Sequence, residues 1–247
     1  MSMKNRHVLG EAVRHLILII LALYTLAPLL FLFVNAFKSN NEIIASPVAL
    51  PEHWTLQYIK TAMEAINFGK ALGLTFIITF FSILLLVIVS SFAAWAMVRS
   101  KTILSNIVFL CFTAAMLVPF QSLMYPLLSV FEKMGLKNVQ GLILMYGGFG
   151  LSMSVFLYHG FIKSVPASLE EAAVLDGANL FQMFFKVVFP LLKGTTVTVI
   201  VLNGMWIWND YLLPFLVIGN KTGSKTLTLE LYFAKLTSGQ YGNPWEL

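Results

Sequence analysis

The sequence predicts an all-α integral membrane protein, and three observations carry that reading. Of its 247 residues 58% are hydrophobic and only 11% charged, where soluble domains carry roughly 25% charged residues. Five apolar runs are each long enough to cross about 30 Å of hydrocarbon, which takes about 20 helical residues. A single long polar segment, 163–194, interrupts the apolar pattern in the second half of the chain. The net charge of +5 would suggest nucleic acid in a soluble chain. Here lysine and arginine hold loops at a membrane surface, and no nucleic-acid partner is expected. Cys111 is the one cysteine and lies in an apolar run, so no intrachain disulfide forms. His7, His15, His53 and His159 are scattered without metal-ligand spacing.

Residues 1–15 form a cytoplasmic N-terminus, followed by a first span at 16–36. That run is too long for a signal-peptide core and lacks a good small-residue cleavage site. Pro28 within it should kink or locally break the helix, because proline removes an N–H and its ring crowds the preceding turn. Lys4, Arg6 and Arg14 precede the span and only Lys38 lies close behind it, which places the N-terminus inside. The chain then alternates. An outer loop at 37–70 carries an interfacial helix after Thr55. From residue 71 to 247 runs the core, with spans at 71–98, 103–120, 141–162 and 195–218. Segments 99–102 and 163–194 fall in the cytoplasm, and 121–140 and 219–247 outside. In the fourth span Gly147, Gly148 and Gly150 let a neighbouring helix approach closely.

The polar segment reads as two short helices meeting at a glycine. Ser168-x-x-Glu171 and Asn179-x-x-Gln182 each have the form of a capping box. Asp176-Gly177 stops the first helix, since glycine accepts the left-handed backbone of a helix end. Pro190 suits the first turn of the helix that follows. Glu170, Glu171 and Asp176 cluster acidic charge, which disfavours an anionic lipid surface and favours a basic groove on a protein.

These residues resemble a known pattern. Glu171-Ala172-Ala173, three residues, Gly177, nine residues, then Val187-x-Phe189-Pro190 resembles the EAA loop of ABC importer permeases. That pattern ends Ile-x-Leu-Pro, and the two changes are apolar and leave the spacing intact. Ser164-Val-Pro-Ala-Ser-Leu-Glu-Glu-Ala-Ala, Leu175-Asp-Gly-Ala178, Pro119 with Pro126, and Trp208-Asn-Asp210 extend the likeness to the oligosaccharide-uptake branch, nearest the second permease of a maltose-like importer. The resemblance implies a type I ABC importer transmembrane domain in a bacterial inner membrane, with a sixth span beyond the five read here. It implies a second, homologous permease, two copies of a cytosolic ATP-binding subunit that holds ATP and magnesium, and an extracytoplasmic sugar-binding protein. This chain binds no cofactor and is no enzyme in that reading. Its 166–190 loop couples to the ATPase through Glu170, Glu171, Ala172, Ala173, Asp176, Gly177 and Pro190, with Glu171 the anchor.

The last span carries an unusual polar load. At about 100° per residue, Thr196, Asn203, Trp206 and Asp210 share a sector about 80° wide. Such a stripe either bonds neighbouring helices, at about 0.6 kcal/mol per hydrogen bond, or lines a pathway. Translocation-pathway candidates are therefore Thr196, Asn203, Trp206, Asp210 and the adjacent Asn209, which lies on another side, together with Gln121 between Pro119 and Pro126. Gly219 to Thr226 nearly spells a phosphate-binding loop, but Ser224 replaces its second glycine and no strand precedes it. Asn220-Lys-Thr222 matches a glycosylation acceptor, which is discounted because the family resembled is largely prokaryotic. A permease for another small solute, or a gradient-driven transporter, is the alternative. The latter needs ion-coordinating broken helices, for which only Asp210 offers an intramembrane ligand.

Overall fold

The computed structural model describes residues 3–219 and 225–241, with side chains at 10–11, 13–219 and 225–235. Every element among them is helical. By backbone packing the chain divides into two compact units, 1–68 with 233–247 and 69–232.

The first unit holds α1 (Met3–Asn35), α2 (Asn40–Ala45) and α3 (Gln57–Ala65). Helix α1 runs unbroken past Pro28, so the expected break does not occur. Its apolar side chains from Val13 to Phe33 are exposed, as befits a helix solvated by lipid. Ser39 caps α2 in a full capping box with Glu42, and the Ser39 N–H holds the Glu42 carboxyl below its ordinary range. Lys38 is buried, and its ammonium donates to the carbonyls of Ser46 and Pro47 at 3.1 and 3.4 Å. The interfacial helix expected after Thr55 is α3.

The second unit is built on α4 (Phe68–Ser100), α5 (Ile103–Ala115), α6 (Phe120–Lys133) and α7 (Val139–Ile162). It continues through α8 (Ser168–Leu175), α9 (Leu180–Leu191), α10 (Lys193–Asn209), α11 (Leu212–Val217) and the start of α12 (Leu227–Tyr241). Helix α7 is the hub, packed by α5, α10 and α11. Its glycines make this possible. A Cβ at Gly150 would lie 2.6 Å from both Asn203 Oδ1 and Leu86 Cδ1, and one at Gly147 2.6 Å from Leu85 Cδ2. The core falls into two clusters. Leu86, Met145, Tyr146 and Leu213 are among those in one, and Trp95, Tyr158, Phe184, Val188 and Leu192 among those in the other. Helix α4 buries small hydroxyls alongside Ile78, Leu86 and Trp95. Ser90 and Ser91 return their O–H groups to the carbonyls of Leu86 and Val87 one turn back, which pairs them within the helix.

Three helices are long and apolar enough to cross a membrane alone, or five if each bent pair is one span. Two expected spans are therefore corrected. The run 103–120 is not one rod: the helix ends at Ala115 and α6 leaves at 106° to it. Pro119 is the cause, since the residue before a proline is driven out of the helical region. Likewise 195–218 is broken, with α10 ending at Asn209 and Asp210 extended (φ −74°, ψ 132°). The segments 121–140 and 219–247 contain most of α6 and all of α12 respectively. The near-match to a phosphate loop and the glycosylation acceptor fall largely outside the described residues.

Gly150→Val should overpack the junction of α4, α7 and α10 at a cost of about 1–3 kcal/mol, seen as a lower melting temperature of the detergent-purified protein. Gly148→Ala, where an added Cβ meets nothing within 4 Å, should leave that temperature unchanged.

Candidate functional site

The polar segment folds as two helical pieces around a left-handed turn. Helix α8 opens without a side-chain cap: Ala167 is the N-cap and Ser168 the first helical residue. The expected Ser168–Glu171 capping box is thus absent, because Pro166 and Ala167 already begin the turn, with Glu171 N–H bonded to Ala167 O at 3.0 Å. The stop is as expected. Gly177 has φ +79°, and the Ala178 and Gly177 N–H groups close on Ala173 and Val174 carbonyls at 2.9 and 3.0 Å, the Schellman arrangement. The second capping box is complete. Asn179 Oδ1 accepts from the Gln182 N–H, and Gln182 Oε1 from the Asn179 N–H.

Pro190 does not open the next span. It sits in the last turn of α9, behind a wide π-helical stretch at Met183–Val188, and the chain bends by 76° into α10. The wide turn suits a proline, which lacks an N–H and whose ring would clash with the carbonyl four residues back in an α-helix. Phe184, Val188 and Leu192 are fully buried along this stretch.

The acidic cluster splits. Glu171 and Asp176 are exposed, whereas Glu170 is buried against the end of α4. Arg99 donates to Glu170 Oε1 from Nε at 2.8 Å and from Nη2 at 2.7 Å. Trp95 Nε1 donates to Oε2 at 3.0 Å. Arg99 Nη2 also donates to the Val165 carbonyl at 3.1 Å. Both carboxylate oxygens are thereby used inside this chain. Sequence reasoning missed Arg99 and Trp95. The available signal was the i, i+3 pairing of Glu170 with Ala173, which puts that acid on the inward face of α8. Around Glu171 and Asp176 the surface is apolar and open: Leu169 is 44% exposed, Val174 57%, Leu175 88% and Phe181 65%.

The pathway candidates do not form one lining. Asn203 is buried and donates to Ser154 Oγ at 3.1 Å and Val199 O at 2.9 Å. Thr196 accepts from Tyr158 O–H at 2.9 Å. Asp210 accepts from Tyr146 O–H at 2.9 Å and from the Leu212 N–H at 3.0 Å, and its carbonyl accepts from Thr228 Oγ1 at 2.9 Å. Asn209 is exposed and turns back to the Met205 carbonyl at 2.7 Å. Asn203 and Trp206 do share a cavity of about 600 Å³ between α7, α10 and the α5–α6 bend, with Phe120, Phe149 and Met153 on its wall. Trp206 lies edge-to-face with Tyr146 and Phe149 at 5.5 and 6.5 Å. Gln121 is exposed and its neighbour Phe120 takes the place on that wall. Among the described residues no three metal-ligating side chains come together.

Three helices long and apolar enough to cross a membrane, or five with each bent pair counted as one span, define a multi-pass membrane protein with one long ordered polar loop. Residues 87–240 match the family described as binding-protein-dependent transport system inner membrane component. The chain belongs to that family, and is the membrane-embedded permease subunit of an ABC transporter rather than an enzyme, with ATP hydrolysis on a separate subunit. It is 45% identical to the probable starch degradation products transport system permease protein of Thermoanaerobacterium thermosulfurigenes, over 93% of this chain and 82% of the relative. It is 32% identical to the multiple sugar-binding transport system permease protein of Streptococcus mutans, over 98% and 87%. In structure it is similar to a chain of a crystallised bacterial ABC transporter involved in import of the acidic polysaccharide alginate, with a TM-score of 0.77, 24% identity and coverage of 95% and 81%.

Arg99→Ala should leave Glu170 buried beside Trp95 alone and cost about 3 kcal/mol, read as a lower melting temperature and lower yield of folded protein. Arg99→Met with Glu170→Leu should recover most of that loss, since an apolar pair leaves no buried charge behind.

Proposed function

We propose that this chain is the permease subunit of an ATP-driven sugar importer, lining half of the translocation pathway and coupled to a cytosolic ATPase through residues 166–190. Sugar as the cargo class is supported by the named roles of its relatives. Besides the two above, the melibiose/raffinose/stachyose import permease protein of Bacillus subtilis is 32% identical over 84% of this chain and 76% of its own.

The observation that carries the coupling reading is the split of the acidic cluster. Helix α8 is fastened to the end of α4 by Glu170 on one side. On the other it offers Glu171 and Asp176 within the apolar patch of Leu169, Val174, Leu175 and Phe181. An exposed apolar patch of this kind rimmed by charge marks a protein contact. A groove on an ATP-binding subunit, basic enough to meet Glu171, is its proposed occupant, with the loop on the cytoplasmic side. In the assembly a second, homologous permease and two ATP-binding subunits complete the motor, and an extracytoplasmic binding protein delivers the sugar. Glu170 is then an internal strut and Glu171 the docking anchor. Gly177 fixes the angle between α8 and α9. Asn203 and Trp206 are the proposed pathway residues, through their shared cavity. Thr196 and Asp210 hold the helices that frame it.

Glu171→Lys should leave membrane insertion intact while transport falls and ATP hydrolysis no longer tracks it, measured in reconstituted vesicles. Gly177→Val should be worse, because a β-branched residue tolerates φ near +79° poorly. Sugar uptake should stop when ATP is depleted and persist when the proton gradient is collapsed; the opposite pattern would indicate a gradient-driven carrier.

A further inference from the structure

At the end of the bundle where α4 and α7 finish there is a second cavity, of about 550 Å³, unrelated to the pathway candidates. Arg99, Lys101, Lys163, His159 and Asn106 stand around it, with Pro166 and Ala167 at its far edge, and none of its lining residues is acidic. The nearest carboxylate described, Glu170, is already spent on Arg99 and Trp95. Lys101 and Lys163 have no acidic partner among the described residues; the Lys163 ammonium lies 5.9 Å from the centre of the Phe109 ring. Arg99 turns Nε and Nη2 toward Glu170 and Val165, which leaves Nη1 to donate elsewhere.

Arg99, Lys101 and Lys163 bring three cations to one cavity whose lining holds no acid, so the site is electropositive and attracts an anion. A guanidinium edge, two ammonium groups and an amide are donors that suit a phosphate. The apolar side of α5 next to the cavity is open, with Ile103 80%, Leu104 69% and Ile107 52% exposed. Acyl chains could lie along that side while a headgroup enters above it, since basic pockets between membrane helices take anionic headgroups.

We propose that this cavity is a binding site for a phosphate-bearing anion, filled by the headgroup of an anionic phospholipid. A free phosphate shares the same chemistry. The inference stands apart from the coupling reading, since it requires neither a docked ATPase nor a sugar.

The test uses the purified transporter in nanodiscs containing phosphatidylglycerol and phosphatidylcholine, with retained lipid read by native mass spectrometry. Lys101→Gln with Lys163→Gln should cut retained phosphatidylglycerol about tenfold or more and leave phosphatidylcholine unchanged. Lys101→Arg with Lys163→Arg should restore it, which separates lost charge from lost folding. In a second arm, inorganic phosphate is compared with chloride at equal ionic strength. A rise in melting temperature for the wild type that the glutamine variant lacks, without any change in lipid retention, would assign the site to free phosphate. Phosphatidylglycerol retention and phosphate response that are both indifferent to the two lysines would overturn the proposal.

Discussion

The Glu170 carboxylate, held by Arg99 and Trp95, is the constraint on which the arrangement of the polar loop rests. Desolvating two charges is costly, and a buried pair is stable only when its geometry is good and its remaining valences are filled. Here the filling is complete: one oxygen receives the guanidinium, the other the indole N–H, and the guanidinium also binds the Val165 carbonyl just ahead of α8. The pair contributes placement more than net stability. It makes α8 an extension of α4, so that a push on the exposed side of α8 moves a membrane helix rather than a slack connection. Trp95 adds a second tie, because its ring also packs on Phe92 and Phe184. The first loop helix, the second loop helix and α4 thus meet at one indole.

A second constraint is set by lipid, which offers no hydrogen bonds to a broken helix. The structure breaks the last apolar run at Asp210 and then repairs the damage locally. The side chain takes the Leu212 N–H and the Tyr146 hydroxyl, and the freed carbonyl takes the Thr228 hydroxyl. The same three bonds fasten α10, α11, α12 and α7 to one another. Asp210 accordingly acts as a joint, and its carboxylate has partners enough without any solute.

Composition and apolar run length made the all-helical membrane class legible, and spacing alone made the loop legible: Gly177 is left-handed and Asn179–Gln182 is a closed box, as read. The failures have two physical causes. Run length counts apolar residues but is blind to where the backbone turns, so 103–120 and 195–218 each read as one rod. Pro119 was the local signal in the first. Side-chain direction was the other blind spot. Glu170 and Glu171 are equivalent in a list of charges, yet one helical step of about 100° sends the first into the bundle and the second out of it. The polar stripe of α10 suffered likewise, because Asn203 and Thr196 share a face but are satisfied by different residues of α7.

The wide turn at Met183–Val188 has a geometric consequence. Inserting a residue into a helical ring without breaking the rod advances everything after it by about 100°. The angular phase between the start of α9 and its last turn, where the chain bends into α10, is therefore written in the length of that stretch and not in its side chains. Relatives that differ freely in sequence there could preserve the gearing so long as they conserve the number of residues. Losing one would set the two halves of the machine out of step while leaving every bond within each half intact.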